Sequence, residues 1–101
     1  MALEQEIKLP VESLALVREA LVRAGGRLVT PEELEENWVL DRADAAVVRS
    51  GQLLRVRRWG ARAWITHKGP ATVAHGVKSR RELEVEVSDS GAALELFAAL
   101  G

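Results

Sequence analysis

Cysteine is absent from all 101 residues, which excludes disulfides, thiolate chemistry and cysteine-type zinc sites and leaves the fold to stand without covalent staples. Net charge is nearly absent too. Fourteen Lys and Arg stand against fifteen Asp and Glu, a balance of -1, so no global field draws the chain towards nucleic acid or an anionic membrane, and any anion site must be local. The opening residues Met1-Ala2-Leu3-Glu4-Gln5-Glu6 lack the basic and apolar segments of a signal peptide, and no membrane span is legible, so the default expectation is a cytoplasmic protein. There is no Walker-type loop, because Gly69 follows Lys68 instead of a Gly-rich stretch preceding it. No Ser/His/Asp arrangement appears, and His67 and His75 lack metal-ligand spacing. Internal repeats and low-complexity segments are missing as well.

What is present reads as one folded unit. Apolar residues make up 48% of the chain and charged residues 29%, enough for a modest core but not for a second independent domain. From Leu3 to Leu9, the residues Leu3, Ile7 and Leu9 alternate with Glu4, Glu6 and Lys8, the period of a half-buried strand that Pro10 stops. From Val11 to Ala24, Leu14, Val17, Leu21 and Ala24 recur at helical spacing up to Gly25-Gly26, and such an amphipathic helix should pack on something. A short extended piece at Arg27 to Thr30 leads to Pro31 and the acids Glu32, Glu33, Glu35 and Glu36, read as a solvated turn. Asn37 to Asp41 reads as a strand, then a loop through Asp44 reaches the Ser50-Gly51 turn.

Leu53 to Trp59 alternates again, Arg55 and Arg57 against Leu54 and Val56, with Arg62 to Lys68 as its hairpin partner across Gly60. Gly69-Pro70 ends the hairpin. After a loop containing Gly76, Val77 to Val87 sets Val77, Leu83, Val85 and Val87 against Lys78, Arg80, Glu82, Glu84 and Glu86, the longest and most charged strand. Ser90-Gly91 starts a short apolar helix from Ala92 to Leu100.

These strands share one charged face, built from Glu4, Glu6 and Lys8, then Arg55 and Arg57, then Thr66 and Lys68, then Lys78, Arg80, Glu82 and Glu84. Any one of them alone would be an ordinary solvated face, with the apolar side packed on the two helices. Together they place like charges at i and i+2, which repel unless an opposite charge or an ion lies between them. Carboxylate pairs such as Glu4/Glu6 and Glu82/Glu84 are hard oxygen ligands for Mg²⁺ or Mn²⁺, whereas Lys and Arg suit phosphate. A polyphosphate with metal satisfies both sets, and metal-assisted phosphoryl transfer is the chemistry that fits. Trp38, Trp59 and Trp64 could instead stack bases beside Arg57 and Arg58. The near-neutral charge weighs against that nucleic-acid reading, and strand tryptophans more often pack at a core or rim.

Glu4-Gln5-Glu6-Ile7-Lys8 matches the ExExK signature that opens CYTH proteins. Asn37-Trp38-Val39-Leu40-Asp41, Leu54-Arg55-Val56-Arg57, Thr66-His67-Lys68-Gly69-Pro70 and Lys78-Ser79-Arg80-Arg81-Glu82-Leu83-Glu84 follow in that family's order. The chain from Leu3 to Gly101 thus resembles the N-terminal half of a CYTH, or triphosphate tunnel, protein. The resemblance implies an α+β fold in which an antiparallel β-tunnel holds divalent metal on inward carboxylates and a triphosphate on inward Lys and Arg. Carried over by position, it assigns phosphate binding to Lys8, Arg55, Arg57, Lys68, Lys78 and Arg80. Metal ligation falls to Glu4, Glu6, Glu82 and Glu84, and catalysis to Glu4, Glu6 and Lys8.

Members of that family continue beyond the last helix with a second half, whereas here nothing follows Gly101. A half tunnel leaves strand edges open, so the expectation is a single CYTH-like domain over residues 1–101 that pairs with a second copy to complete the tunnel. The leading function is metal-dependent hydrolysis of a triphosphate. Inorganic tripolyphosphate is the expected substrate, since no base or thiamine pocket is recognisable; nucleoside and thiamine triphosphates are the other members of the class. A class IV adenylate cyclase and a non-catalytic polyphosphate- or nucleotide-binding half domain stand as alternatives, and membrane partners are not expected.

Overall fold

The structure, a computed structural model, describes residues 2–27 and 33–101. Its elements run β1 (Ala2–Glu6), α1 (Leu14–Arg23), β2 (Glu35–Leu40), α2 (Ala46–Arg49), β3 (Leu53–Trp59), β4 (Arg62–Lys68), β5 (Thr72–Ala74), β6 (Val77–Val87) and α3 (Ser90–Leu100). The strands form one sheet in the order β1-β6-β4-β3-β2, with β5 also on β6. Every pairing is antiparallel. The architecture is α+β, an open antiparallel sheet with helices, as the alternating patterns predict.

Residues paired across antiparallel strands share a face, so the register sorts the side chains into two layers. One face carries Glu4 opposite Arg80, Glu6 opposite Lys78, Lys68 opposite Glu82 and Leu53, Thr66 opposite Glu84 and Arg55, and Trp64 opposite Glu86 and Arg57. The other carries Val56 opposite Ile65 and Trp38, and Ala63 opposite Val87. Helix α3 lies across β3 and β4. Val56 and Ala63 of the sheet and Ala93 of α3 are buried and form the apolar core among the described residues. The Asp89 side chain caps α3 by accepting from the Ala92 N–H.

That cover stops short of β6 and β1, where Leu83, Val85 and Leu3 stay exposed. Contrary to the periodic pattern over 11–24, α1 does not close the gap: it has no buried residue, and Leu14, Leu16, Leu21 and Val22 all face solvent. It starts at Leu14, not Val11, because the Ser13 hydroxyl accepts from the Leu16 N–H and fixes the first turn there.

Other elements differ in extent. Strand β1 ends at Glu6, so Ile7, Lys8 and Leu9 lie beyond it; Glu6 already pairs with Lys78, next to the start of β6 at Val77, and no partner strand remains. The extended piece over 27–30 and the turn at 31–32 fall largely outside the described residues. Glu35 and Glu36, read as turn acids, instead open β2 and pair with Trp59 and Arg58. Helix α2 and strand β5 occupy segments read as loops. Asp41 organises α2 from outside it, its carboxylate accepting from the N–H groups of Val47 at 2.9 Å and Val48 at 3.0 Å.

Candidate functional site

The charged face has two ends. Near the meeting of β1, β6 and β4, Lys68 Nζ donates to both carboxylate oxygens of Glu4, at 3.0 and 2.8 Å, and lies 3.6 Å from Glu82. All three side chains are sheltered, Lys68 most of all at 15% accessible. The two carboxyls act on each other as well as on Lys68. Contact with Glu82, and with Lys68, holds the Glu4 carboxyl down at about 2. In return, contact with Glu4, then burial and the repulsion of Glu4, push Glu82 above its ordinary value. Two acids crowd the sheltered Lys68, and the strain of that crowding falls on Glu82, whose affinity for a proton is raised.

The next row along the sheet is Arg55, Thr66 and Glu84. Thr66 is fully buried, and its hydroxyl donates to Glu84 at 2.8 Å. Arg55 Nε is buried with no acceptor among the described residues. Burial, and secondarily the neighbouring Arg57, lower the Arg55 pKa, while Glu84, Glu82 and Glu35 partly offset this. A buried guanidinium Nε–H left without an acceptor is costly unless an anionic oxygen completes it. In the row beyond, Arg57 Nε donates to Asn37 Oδ1 at 2.7 Å and lies 2.6 Å from Glu35.

The structure therefore brings Glu4, Lys68 and Glu82 into contact and sets Glu84, Arg55 and Arg57 beside them on the same face. Other expected site residues stand apart. Lys8, past the end of β1, is 83% exposed, and its one ion pair among the described residues is with Glu6, at 3.6 Å. Glu6 and Lys78 face each other at the far end of β6, and the Glu6 carboxylate pairs with Lys8. Arg80 sits opposite Glu4, but its Nε donates to the Gly69 carbonyl at 2.9 Å and a terminal nitrogen to that of Gly51 at 3.3 Å, fastening two loops. His67 points to the apolar face, as the alternation predicts, against Gln52 at 2.8 Å.

Sequence reasoning overlooked the hairpin end of the face. There Glu33, Arg57, Trp59, Arg62, Trp64 and Glu84 line a hollow of about 370 Å³. The Arg62 guanidinium stacks 5.0 Å over the Trp64 ring and donates twice to Glu86, at 2.8 and 2.7 Å. Continuing the alternation of Asn37 and Val39 back to Glu35 would have placed Glu35 beside Arg57. Placing Trp59 and Trp64 by the same period would have set both on the charged face.

Carboxylates and guanidinium groups sharing one face of an open antiparallel sheet suit a polyphosphate held with a hard cation. Among the described residues no three His, Asp or Glu side chains form a ready-made metal cage. The fit is to a cation such as Mg²⁺, which one or two carboxylates hold while water and phosphate oxygens supply the rest. The model of the CYTH domain matches residues 2–101, and the chain belongs to that family, whose enzymes are generally divalent-metal dependent and bind triphosphates. Among solved structures it is similar to HpAC1 from Hippeastrum, a candidate adenylyl cyclase that reveals a dominant triphosphatase activity, with a TM-score of 0.70 and 22% identity over 95% of this chain. The chain spans 44% of HpAC1, a likeness of fold. No curated protein matches the sequence. Among the described residues no helix is long and apolar enough to cross a membrane.

Proposed function

We propose that this chain binds a triphosphate together with Mg²⁺ or Mn²⁺ on its charged face and takes part in hydrolysing it, with tripolyphosphate as the minimal substrate. The observation that carries this reading is the cluster of Glu4, Lys68 and Glu82 beside the idle buried donor of Arg55. In this reading Arg55, Arg57 and Lys68 draw in phosphate oxygens and fix the chain of phosphorus atoms along the sheet. Glu4 stays ionised at any physiological pH, and Glu4 and Glu82 are the carboxylates that would hold the cation. The bound cation supplies Lewis-acid polarisation of the phosphoryl oxygens. Thr66 holds Glu84 towards the same space. Lys78 serves at the far end; Arg80, opposite Glu4, keeps its loop contacts and adds its positive charge to the face, and Lys8 and Glu6 join only if the chain beyond β1 folds inward around the ligand.

A second copy is proposed to supply the facing strands. The sheet's edge strands β1 and β2 have no outer partner among the described residues, and open edges favour pairing. Contributions from two copies would close the charged face into a tunnel and exclude water from the phosphates. A non-catalytic binding module predicts the same metal-dependent affinity without product.

The test is phosphate release from tripolyphosphate, ATP and thiamine triphosphate with Mg²⁺ or Mn²⁺, with the solution mass measured on the same sample. Metal-dependent release by a dimer is the expected result. Binding without release favours the binding module, and neither binding nor release overturns the reading.

A further inference from the structure

The apolar face of the sheet is covered unevenly. Helix α3 lies on β3 and β4, while on β6 and β1 the side chains of Leu83, Val85 and Leu3 stay 47%, 50% and 64% exposed. Leu3 stands opposite Arg81, so the open patch runs along β6 from Arg81 to Val85, about 13 Å at roughly 3.3–3.4 Å per residue. Helix α1 is the other uncovered apolar surface. Its residues Leu14, Val17 and Leu21 fall on one side at helical spacing, and none of them is buried. At about 1.5 Å per residue that stripe is roughly 10 Å long, a match for the patch. The helix is completed at both ends by its own chain. Ser13 caps the first turn, and the N–H groups of Gly25 and Gly26 donate to the carbonyls of Val22 and Leu21 at 3.1 and 2.8 Å. The closing turn is so tight that a Cβ on Gly26 would meet the Leu21 oxygen at 2.8 Å. A helix this short is marginal alone in water, so its stripe calls for a partner surface.

We infer that α1 is an exchanged arm: in a pair of chains related by a two-fold axis, the stripe of each α1 seats on the β1–β6 patch of the other copy. One chain supplies the helix that the other chain's sheet lacks, and the symmetric exchange buries both surfaces twice. The arm is ready for it, since α1 has no buried residue to unpack before it moves. Residues 7–13 join α1 to β1, an edge strand of the sheet, and extended they reach up to about 25 Å at roughly 3.3–3.6 Å per residue, enough to pass from that rim to a neighbouring molecule. An arm that rounds β1 to the apolar side of its partner leaves the two charged faces free to meet. The inference concerns the opposite face of the sheet from the proposed triphosphate site, and stands apart from that reading.

The absence of cysteine allows thiol cross-linking at chosen positions of the whole chain. Val17→Cys lies in the middle of the stripe and Leu83→Cys in the middle of the patch. The two variants, one carrying a size tag, are mixed and treated with a short bis-maleimide. The expected product is the mixed dimer, formed roughly tenfold faster than when Glu19→Cys, on the other side of α1, replaces Val17→Cys, because seated thiols meet at a high effective concentration. Equal rates overturn the exchange. A chain carrying both cysteines that links only within itself overturns it too, and assigns α1 to its own sheet. Sedimentation equilibrium gives a second reading that needs no cross-linker. Leu21→Glu is expected to raise the dimer dissociation constant about tenfold by setting a charge against apolar surface. Leu16→Glu, exposed and off the stripe, is expected to change it by about twofold or less. Equal effects at the two positions, or an unaltered protein that stays monomeric, overturn the inference.

Discussion

At the hairpin end of the charged face each cation has its own anion, Arg57 against Glu35 and Arg62 against Glu86. Near β1 two carboxylates, Glu4 and Glu82, divide a single Lys68. The first arrangement is what an exposed sheet face reaches unaided, and pairs of that kind add little to stability. The second is sheltered and crowded, with the Glu82 carboxyl raised above its ordinary value by its neighbour Glu4 and by burial. A sheet face selected only for solubility has no reason to gather two carboxylates on one lysine. A face that receives a cation and an anion together does, because the cation can sit between the two carboxylates and the anion can take up the lysine.

The largest effect is expected from Lys68→Ala. Losing charge-assisted bonds at a position only 15% accessible should cost about 1.5–3 kcal/mol in urea unfolding. Binding should split in sign, triphosphate affinity falling while affinity for Mn²⁺ alone rises, as the competing ammonium is gone. A loss of both in parallel would mean that the cluster is only a structural ion pair. Arg57→Ala is expected to have a smaller and one-sided effect. It should weaken triphosphate binding by about 1.5–3 kcal/mol through one charge-assisted contact, with Mn²⁺ affinity unchanged by titration calorimetry. Equal losses at Arg57 and Lys68 for both ligands would erase the distinction between the two ends.

The smallest effect belongs to Arg62→Ala at neutral pH, where the melting temperature should barely move, because both partners of the Arg62–Glu86 pair are exposed. Its signature lies in acid. Hydrogen bonds from Arg62 hold the Glu86 carboxyl below its ordinary value of 4.5. A depressed folded value contributes stability above the unfolded value, and that contribution fades as pH falls from about 4.5 through the lower folded one. Thermal melts across that window should therefore show a shallower acid loss in the variant. An identical acid slope would show that the pair carries no linkage.

How much of this was legible in the sequence varied with how local the cause was. Strand β6 matches the alternation from Val77 to Val87 at both ends, and β3 and β4 match their patterns about Gly60, because strict period-two sequences with firm stops leave little choice. Helix α2 and strand β5, of four and three residues, are too short to show a period. The first begins after Ala45 in the left-handed region at φ 58 and owes its N–H partners to Asp41 upstream. The apolar stripe of α1 correctly announced a helix, but a stripe states only that a face can be buried, and here it is not. At the site, the period placed Arg55, Arg57, Lys68, Glu82 and Glu84 on one face. It could not foresee that Lys8 lies past the last paired residue, since that depends on where the opposing strand begins, nor that Arg80 is spent on the carbonyls of Gly51 and Gly69.

The most direct test of the central claim is Mn²⁺ binding, followed by electron paramagnetic resonance with and without tripolyphosphate, in the unaltered protein and in Glu4→Gln. If the crowded end is a joint site, tripolyphosphate strengthens Mn²⁺ binding in the unaltered protein beyond its own capture of the ion in solution, and Glu4→Gln, isosteric but a poor ligand, loses at least tenfold. Equal Mn²⁺ binding by the two proteins, in the presence and absence of tripolyphosphate, would contradict the account.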